Sequence, residues 1–295
     1  MREFEEALRR ARGTVATPPA AAGITPPERP AGTPPPPGSA PMASALAEAQ
    51  ARTPAPSRAG GKVALTSFPP LNANVAFFRE NFGSLGGDSA IVDGSFRILR
   101  TRVLEAMRER GGQVLGVTSP APGAGKTVTA IHLALACARR AEQAVVLADF
   151  DLRRPAVAQY LDATGFRPSV DYFRGKGTAS DFLYRNEQGN LLYMLTDRAT
   201  EMSAEHLASS RLSAALEELK ALAPEMLVIL DLPPLTGCDD TLAVLPQLDG
   251  VLMVAASGET KWGQLEEAVG LVPKEKIVAT VLNKAPNAPS SYDYY

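Results

Sequence analysis

A glycine-containing loop at residues 119–127 has the composition of a phosphate-binding site. It reads Ser-Pro-Ala-Pro-Gly-Ala-Gly-Lys-Thr and lies between a short apolar run and a helical pattern. The backbone amides of such a loop close around phosphate oxygens, its lysine reaches the β and γ phosphates, and its threonine can ligate magnesium. Pro120 replaces the first glycine of the usual pattern. The residues predicted to bind a nucleotide are Gly123, Ala124, Gly125, Lys126, Thr127 and Val128.

Aspartates follow two other apolar runs of the chain. Asp149 and Asp151 come after residues 145–148, and Asp231 comes after residues 227–230. In an extended segment, Asp149 and Asp151 point to the same side. One aspartate at such a place is commonly a helix cap. Two such places in a domain with a phosphate loop indicate carboxylates that hold magnesium for phosphoryl transfer.

The elements that position these residues are short apolar runs separated by helical patterns. This alternation predicts a doubly wound, mostly parallel α/β sheet with ligands at the carboxyl ends of its strands. A helix is predicted to begin near Gly94 and to end near Gly111, and we expect Asp239 and Asp240 to cap the helix that follows them. The predicted strands are 114–118, 144–148, 227–230, 250–255 and 277–282.

The N-terminal region differs in composition from the rest of the chain. More than half of the 25 prolines lie between Pro18 and Pro70, and few large apolar side chains are present there to offset the entropy of ordering it. The first helix is either a docking peptide for a partner or an inert end. The predicted segments are a short amphipathic helix at 1–13, a disordered Pro/Ala-rich linker at 14–70, a P-loop domain at 71–285 and a tyrosine-rich tail at 286–295.

Charge and cysteine content exclude several classes of protein. The net charge of −2 argues against a nucleic-acid-binding protein, which carries a basic excess. Two cysteines are too few for a disulfide scaffold or a zinc site. The sequence has neither an apolar run of membrane-spanning length nor a signal peptide, so we expect a cytoplasmic protein without a membrane span.

Taken together, the motifs resemble those of one family. The phosphate loop and the segments 146–155 and 230–234 look like the Walker A, A′ and B motifs of the bacterial tyrosine kinases, the autokinases of polysaccharide export and chain-length control. The resemblance covers about residues 90–285 and implies a P-loop fold of the deviant-Walker type, shared with partitioning and septum-site ATPases. Those ATPases have a second lysine where this chain has Ala121, which favours the kinase branch. Residues 2–13 are similar to the first helix of soluble members associated with exopolysaccharide and exosortase loci.

The resemblance implies a role for each aspartate and for the tail. Asp149 is the expected base for a tyrosine hydroxyl, and Lys126 and Asp151 complete the expected catalytic set. Mg²⁺ is expected on Thr127, Asp151 and Asp231, with ATP as the phosphoryl donor. The alternative for the tail is that it packs on the domain without being modified. The family's kinases phosphorylate a C-terminal tyrosine cluster, which here consists of Tyr292, Tyr294 and Tyr295.

The resemblance also implies assembly and partners. Family kinases often close into rings through a Glu-x-x-Arg-x-x-Arg helix, so Arg97 and Arg100 are candidate residues for a homo-oligomer. Gly94 stands where the glutamate would be, so either the neighbouring Asp93 replaces it or the ring is weaker. Arg153 is a candidate to hold the acidic tail or the transferring phosphate. The implied activator is a separate membrane-anchored polysaccharide co-polymerase, or chain-length regulator, which recruits the kinase to the inner face of the plasma membrane.

The sequence therefore predicts an ATP- and Mg²⁺-dependent protein tyrosine autokinase that phosphorylates its own C-terminal tyrosines and regulates exopolysaccharide polymerisation or export. One alternative is a P-loop ATPase switch or regulatory adaptor of the polysaccharide assembly machinery that does not phosphorylate tyrosine. Another is a nucleotide-binding scaffold that has lost its chemistry, which the intact lysine, threonine and aspartates argue against.

Overall fold

The structure, a computed structural model, describes residues 64–83, 89–223 and 225–285. The predicted helix at 1–13, the linker up to residue 63 and the tail with its three tyrosines lie outside the described residues. The strands are β1 Val114–Thr118, β2 Val145–Asp149, β3 Leu183–Arg185, β4 Leu191–Met194, β5 Leu227–Asp231, β6 Gly250–Ala256 and β7 Ile277–Asn283. The α-helices are α1 Val75–Phe82, α2 Ser89–Glu109, α3 Lys126–Ala138, α4 Val157–Tyr160, α5 Val170–Phe173, α6 Ser203–Leu207, α7 Ser210–Lys220, α8 Asp240–Val244 and α9 Trp262–Leu271. Short 3-10 helices are Leu65–Ser67, Ala179–Phe182, Leu245–Gln247 and Lys274–Lys276.

One seven-stranded sheet organises the domain, in the order β3-β4-β2-β5-β1-β6-β7. Every neighbouring pair is parallel except β3 and β4. From β1 the chain continues to β2, β3 and β4 on one side, returns to β5 beside β1, and then adds β6 and β7 on the other side. The predicted doubly wound α/β fold is therefore confirmed. The loop after β1 and the carboxyl ends of β2 and β5 meet at one edge of the sheet, where such folds bind ligands.

The central strands β1, β2 and β5 are buried at every position. Both faces of these strands are covered, which is why their sequences are continuously apolar and do not alternate. Helix α3 packs against all three strands. The charged exceptions to this apolar pattern are Asp149 and Asp231, fully buried at the last positions of β2 and β5. Burial of a carboxylate is costly unless it is paired or has a function.

The five predicted strands correspond to β1, β2, β5, β6 and β7, with ends that differ by at most one residue. The sequence missed β3 and β4, because a three-residue strand and a four-residue apolar run have no periodicity that separates them from a loop or helix. The predicted helix before β1 is α2, which begins at Ser89, upstream of the expected start. Within the described part, no helix is both long and apolar enough to span a membrane.

The end of the predicted linker belongs to the domain. Leu71 donates its backbone N–H to the carbonyl of Arg185 on β3 (2.9 Å), and Arg185 donates its own to the carbonyl of Pro69 (2.9 Å). The Asn72 amide donates to the Thr164 hydroxyl at 2.7 Å. The boundary at residue 71 was therefore wrong, because residues just before it pair with the edge of β3. Such pairing leaves no local sequence pattern.

Candidate active site

The loop between β1 and α3 has the backbone conformation that its glycines allow. Gly123 and Gly125 have φ angles of +84° and +87°, in the left-handed region that other residues enter at a cost. Gly125 is the N-cap of α3, so the helix N-terminus opens at the loop with its backbone amides available to an anion. A Cβ atom on Gly125 would also collide with the amide of Asn283. Glycine is therefore required at this position both for the left-handed backbone and for the close approach of Asn283.

The loop is fixed to the segments that surround it. Leu235 and Thr236, which follow β5, donate their backbone N–H groups to the carbonyls of Ser119 (2.8 Å) and Pro120 (3.1 Å). Proline lacks an N–H but keeps its carbonyl, so Pro120 can accept this hydrogen bond. On the other side, the Asn283 amide at the end of β7 donates to the carbonyl of Ala124 at 2.9 Å.

A lysine, a threonine and three aspartates meet below the loop. Lys126 Nζ lies 2.7 Å from Asp151 Oδ2 and 3.6 Å from Asp231 Oδ1. The Thr127 hydroxyl donates to Asp231 Oδ2 at 2.6 Å. Asp149 lies opposite Asp231 in the parallel register of β2 and β5. The structure thus brings together every aspartate that the sequence assigned to phosphoryl transfer, beside the predicted lysine and threonine.

Asp149 makes the contacts of a helix cap as well. Its Oδ2 accepts the backbone N–H groups of Ala156 (2.9 Å) and Val157 (3.0 Å) at the start of α4. Among the described residues, its Oδ1 accepts only a long hydrogen bond, from the N–H of Asp151 at 3.3 Å. The same carboxylate therefore anchors α4 through one oxygen and leaves the other without a helix contact.

Burial and charge together set the proton affinities of this cluster. Burial raises the pKa of Asp149 well above its ordinary value, and the negative charge of Asp231 adds to the effect. Burial also raises the pKa of Asp231, although Lys126 and the Thr127 hydrogen bond oppose the increase. For Lys126, burial lowers the pKa, but Asp231 and Asp151 outweigh it and the net pKa is raised. The lysine therefore carries its charge at neutral pH.

The donor set fits Mg²⁺ held jointly with phosphate. Asp231 Oδ1 is buried and makes no hydrogen bond within the described residues, and the other nearby donors are the Asp151 carboxylate and the Thr127 hydroxyl. These are the oxygen ligands that Mg²⁺ prefers. No group of three His, Cys, Asp or Glu side chains in the described residues could hold a metal ion. Mg²⁺ usually binds one or two carboxylates and completes its shell with phosphate oxygens and water.

The arginines proposed for assembly lie on α2, away from this cluster in the chain. Arg97 is exposed, whereas Arg100 is partly buried and donates to the carbonyl of Ala136 on α3 at 3.2 Å. Asp93, the proposed substitute for the missing glutamate, is paired within the chain with Arg139 at 3.1 Å. These contacts test no interface, and the role of both arginines in assembly stays a prediction.

Two contacts at the site were not predicted. Asn283, the last residue of β7, contacts the phosphate loop although it is far from it in sequence. Asp240 accepts three hydrogen bonds from Arg153, at 2.8 to 3.0 Å, so the expectation that Asp240 is a helix cap was wrong. Neither Asp239 nor Asp240 makes a side-chain capping bond to α8. Both contacts join residues far apart in the chain, and no local sequence pattern indicates which residue each side chain contacts.

Curated relatives of this chain carry the name tyrosine-protein kinase. YwqD of Bacillus subtilis is 29% identical over 205 residues, which make up 68% of this chain and 84% of YwqD. CpsD of Streptococcus agalactiae is 24% identical over 203 residues, which are 68% of this chain and 86% of CpsD. EpsB of Ralstonia nicotianae is 26% identical over 175 residues, and the match spans 59% of this chain but only 23% of EpsB. No protein-family model matches the chain.

Solved structures with the same fold include kinase domains. The VpsO kinase domain is 26% identical with a TM-score of 0.57, and the match covers 65% of this chain and 96% of that domain. The kinase domain of Escherichia coli tyrosine kinase ETK is 24% identical with a TM-score of 0.63, covering 76% and 86%. The septum site-determining protein MinD of Pyrococcus horikoshii, complexed with Mg-ADP, shares the fold at 15% identity and a TM-score of 0.51, covering 60% and 72%. The chain thus has a nucleotide-binding fold.

Proposed function

We propose that this chain, which fits the bacterial tyrosine kinase family, is an ATP-dependent protein tyrosine autokinase that modifies its own C-terminal tyrosines. The observation that supports the proposal most is the contact of Lys126 with Asp151 and Asp231 directly below the phosphate loop. This arrangement unites a phosphate-binding cation with carboxylates suited to Mg²⁺. The relatives named as kinases support the choice of tyrosine as acceptor.

Each polar residue has a separate task in the proposed reaction. The loop amides and Lys126 bind the β and γ phosphates, so Lys126 exchanges Asp151 for phosphate oxygens when the nucleotide enters. Asp151, Asp231 and Thr127 are the residues that would hold Mg²⁺, which supplies charge neutralisation on the phosphates. The loop amides and Lys126 hold the γ phosphate in line with an acceptor tyrosine.

Asp149 is the proposed base. The tyrosine oxygen forms a bond to the γ phosphorus while the bond from that phosphorus to the β–γ bridging oxygen breaks, and ADP leaves. The phenolic proton passes to Asp149, most directly to Oδ1, because Oδ2 is engaged by two backbone amides. A free phenol ionises only near pH 10, and the raised pKa of Asp149 makes it a stronger proton acceptor than an exposed carboxylate.

The cellular role is part of the proposal. As in the family it resembles, the kinase would regulate exopolysaccharide polymerisation or export and would respond to a membrane-anchored co-polymerase. The proposed location is the cytoplasm, at the inner face of the membrane when that partner binds. The tyrosines proposed as acceptors are Tyr292, Tyr294 and Tyr295.

The test is mass spectrometry of the full chain after incubation with ATP and Mg²⁺, with and without the cytoplasmic segment of a candidate activator. Phosphate should appear on the C-terminal peptide, vanish in Lys126→Met and persist in Lys176→Met, which removes an exposed lysine remote in sequence from the loop. Asp149→Asn should slow the reaction by about 10² to 10⁴-fold, the usual contribution of a general base. Changing all three tail tyrosines to phenylalanine should abolish the signal.

The same experiment separates the proposal from its alternative. If ATP is bound or hydrolysed but no tyrosine gains mass even with the activator, the kinase proposal fails. The nucleotide-switched ATPase then takes its place, since the fold is shared with MinD.

A further inference from the structure

Arg153 and Asp240 form an ion pair beside the carboxylate cluster. Arg153 follows Asp151 by two positions, and Asp240 is the first residue of α8. The guanidinium donates from Nε to both oxygens of Asp240 (3.0 and 2.9 Å) and from Nη2 to Oδ1 (2.8 Å). The Asp240 side chain has no exposed surface, while that of Arg153 is 43% exposed. Such a forked contact fixes orientation as well as distance.

Asp240 is held as a carboxylate in this position. Burial raises its pKa, but the hydrogen bonds and the positive charge of Arg153 oppose burial, and the net pKa is lowered. The buried carboxylate therefore ties the arginine to α8.

The arginine belongs to the tight turn that orients Asp151. The N–H of Arg154 donates to the Asp151 carbonyl (3.1 Å) and to Asp151 Oδ1 (3.0 Å). The turn is held at its middle by the N–H of Thr200, which donates to the Leu152 carbonyl at 2.9 Å. With these contacts in place, Asp151 Oδ2 points at Lys126. The side chain of Arg153 is a further anchor of this turn.

Helix α8 is tied in turn to the segment that follows Asp231. The hydroxyl of Thr241 donates to the carbonyl of Pro233 at 2.7 Å, and the hydroxyl of Thr118 at the end of β1 donates to the same carbonyl at 2.7 Å. The Pro233 carbonyl therefore links α8, which begins with Asp240, to the end of β1 and to the segment that follows Asp231. Through its ion pair with Asp240, Arg153 connects the turn that carries Asp151 to the same contacts.

We propose that Asp240 is a positioning residue that acts through Arg153 to hold Asp151 where a nucleotide-bound Mg²⁺ needs it. Its effect on catalysis rests on the proposed kinase function, whereas its effect on metal-dependent nucleotide binding does not. Asp240 itself touches no reacting atom in this role. The consequence is that losing the pair weakens binding of the magnesium complex of a nucleotide and spares binding of the free nucleotide.

The test is calorimetric titration of the full chain with ADP, once with Mg²⁺ and once with excess chelator. In Asp240→Asn, the affinity gained on adding Mg²⁺ should fall by about 10-fold or more, the usual cost of losing a residue that orients a metal ligand. The affinity for metal-free ADP should stay within about twofold of the wild type, because the loop amides and Lys126 are untouched. Asp239→Asn is the matched control, since Asp239 is 76% exposed and lies 3.5 Å from the same arginine.

Two results would overturn the proposal. One is an undiminished magnesium effect in Asp240→Asn. The other is an equal loss of affinity with and without Mg²⁺, which would make Asp240 a general structural support. Should Asp240→Asn fail to fold, Arg153→Lys keeps the charge but loses the fork, and it should reduce the magnesium effect in the same way; a full magnesium effect in that variant would contradict the proposal.

Tail phosphorylation, measured on the same variants, keeps this inference apart from the kinase proposal. If the wild type gains no phosphate, the kinase proposal fails while the ADP titrations still decide the role of Asp240. If the wild type is phosphorylated and Asp240→Asn keeps its full magnesium effect, only the positioning role fails.

Discussion

At the scale of single residues, Gly125 shows how one position serves both the fold and ligand binding. It has a left-handed backbone, it caps α3, and the amide of Asn283 occupies the space where a side chain would begin. An alanine there would have to keep the left-handed conformation, at a cost of about 1–2 kcal/mol, and displace Asn283 from the Ala124 carbonyl. Alternatively, the loop changes its conformation and its backbone amides no longer point towards the phosphates.

We therefore predict that Gly125→Ala weakens ADP binding by roughly tenfold or more, since 1.4 kcal/mol corresponds to a factor of ten. Gly263→Ala is the matched control, because Gly263 lies in α9 with open space where its Cβ would be. Calorimetric titration of both variants with ADP is the measurement. Equal affinities in the two variants would show that the loop accommodates a side chain at 125 without loss.

Asp149 illustrates a residue whose two possible roles are compatible. From the sequence alone, Asp149 could be a helix cap or a catalytic carboxylate. In the structure, Oδ2 makes the cap contacts, and within the described part of the chain Oδ1 has only one long hydrogen bond. A carboxylate has two oxygens that accept independently. Anchoring one of them restricts the rotation of the group, which orients the other for proton transfer.

At the scale of elements, the sequence predicts a feature when neighbouring residues in the chain carry its pattern, and it does not predict contacts between distant segments. Each central strand is a continuous apolar run that ends at the loop or at an aspartate, so both the strands and the residues Asp149, Asp151 and Asp231 could be found from the sequence. The contact between Arg153 and Asp240 could not, because either side chain alone has the pattern of an exposed charge or a cap. The contact of Asn283 with the loop depends on the arrangement of the completed sheet.

The contact between α1 and α3 makes stability depend on pH. His132 on α3 packs against Phe78 of α1 with ring centroids 4.7 Å apart, and its Nε2 lies 3.0 Å from the carbonyl of Phe82. Burial lowers the pKa of His132 from 6.5, although the contact with the Phe82 carbonyl opposes the shift. The folded state therefore binds a proton less readily than the unfolded chain does. The stability that this group contributes is fully present above the unfolded pKa and is lost as the pH falls from that value to the lower pKa of the folded state.

We predict that the free energy of unfolding falls more steeply for the wild type than for His132→Asn as the pH drops from about 7.5 to 5.5, by up to about 1.4 kcal/mol per pH unit for one proton. Comparison with the variant is needed because His206 also has a lowered pKa, and the raised pKa values of Asp149 and Asp231 act in the opposite direction. Urea titrations across this pH range provide the measurement. Identical pH profiles would mean that His132 takes up no additional proton on unfolding.

At the scale of the whole molecule, the order of the strands explains why distant segments form one site. Because β1 lies between β5 and β6, and β5 lies beside β2, the loop and both aspartate-bearing strand ends share one edge of the sheet. At one lateral edge of the sheet lies β3, whose outer side pairs with residues 69–71. An unpaired strand edge is open to pairing with other chains, so this short segment protects the sheet.

This predicts different outcomes for two N-terminal deletions. The chain divides into two units after Gly61, so removing residues 1–61 should leave the free energy of unfolding of the domain unchanged. Removing residues 1–72 also deletes the backbone bonds with Arg185 and the bond of Asn72 to Thr164. At roughly 0.5–1.5 kcal/mol for each hydrogen bond, and with Leu71 packed against the core, the longer deletion should cost about 2–4 kcal/mol in urea unfolding. Asn72→Ala in the full chain should show only the share of one bond, and equal stabilities of the two deletions would mean that the pairing with β3 contributes nothing to the fold.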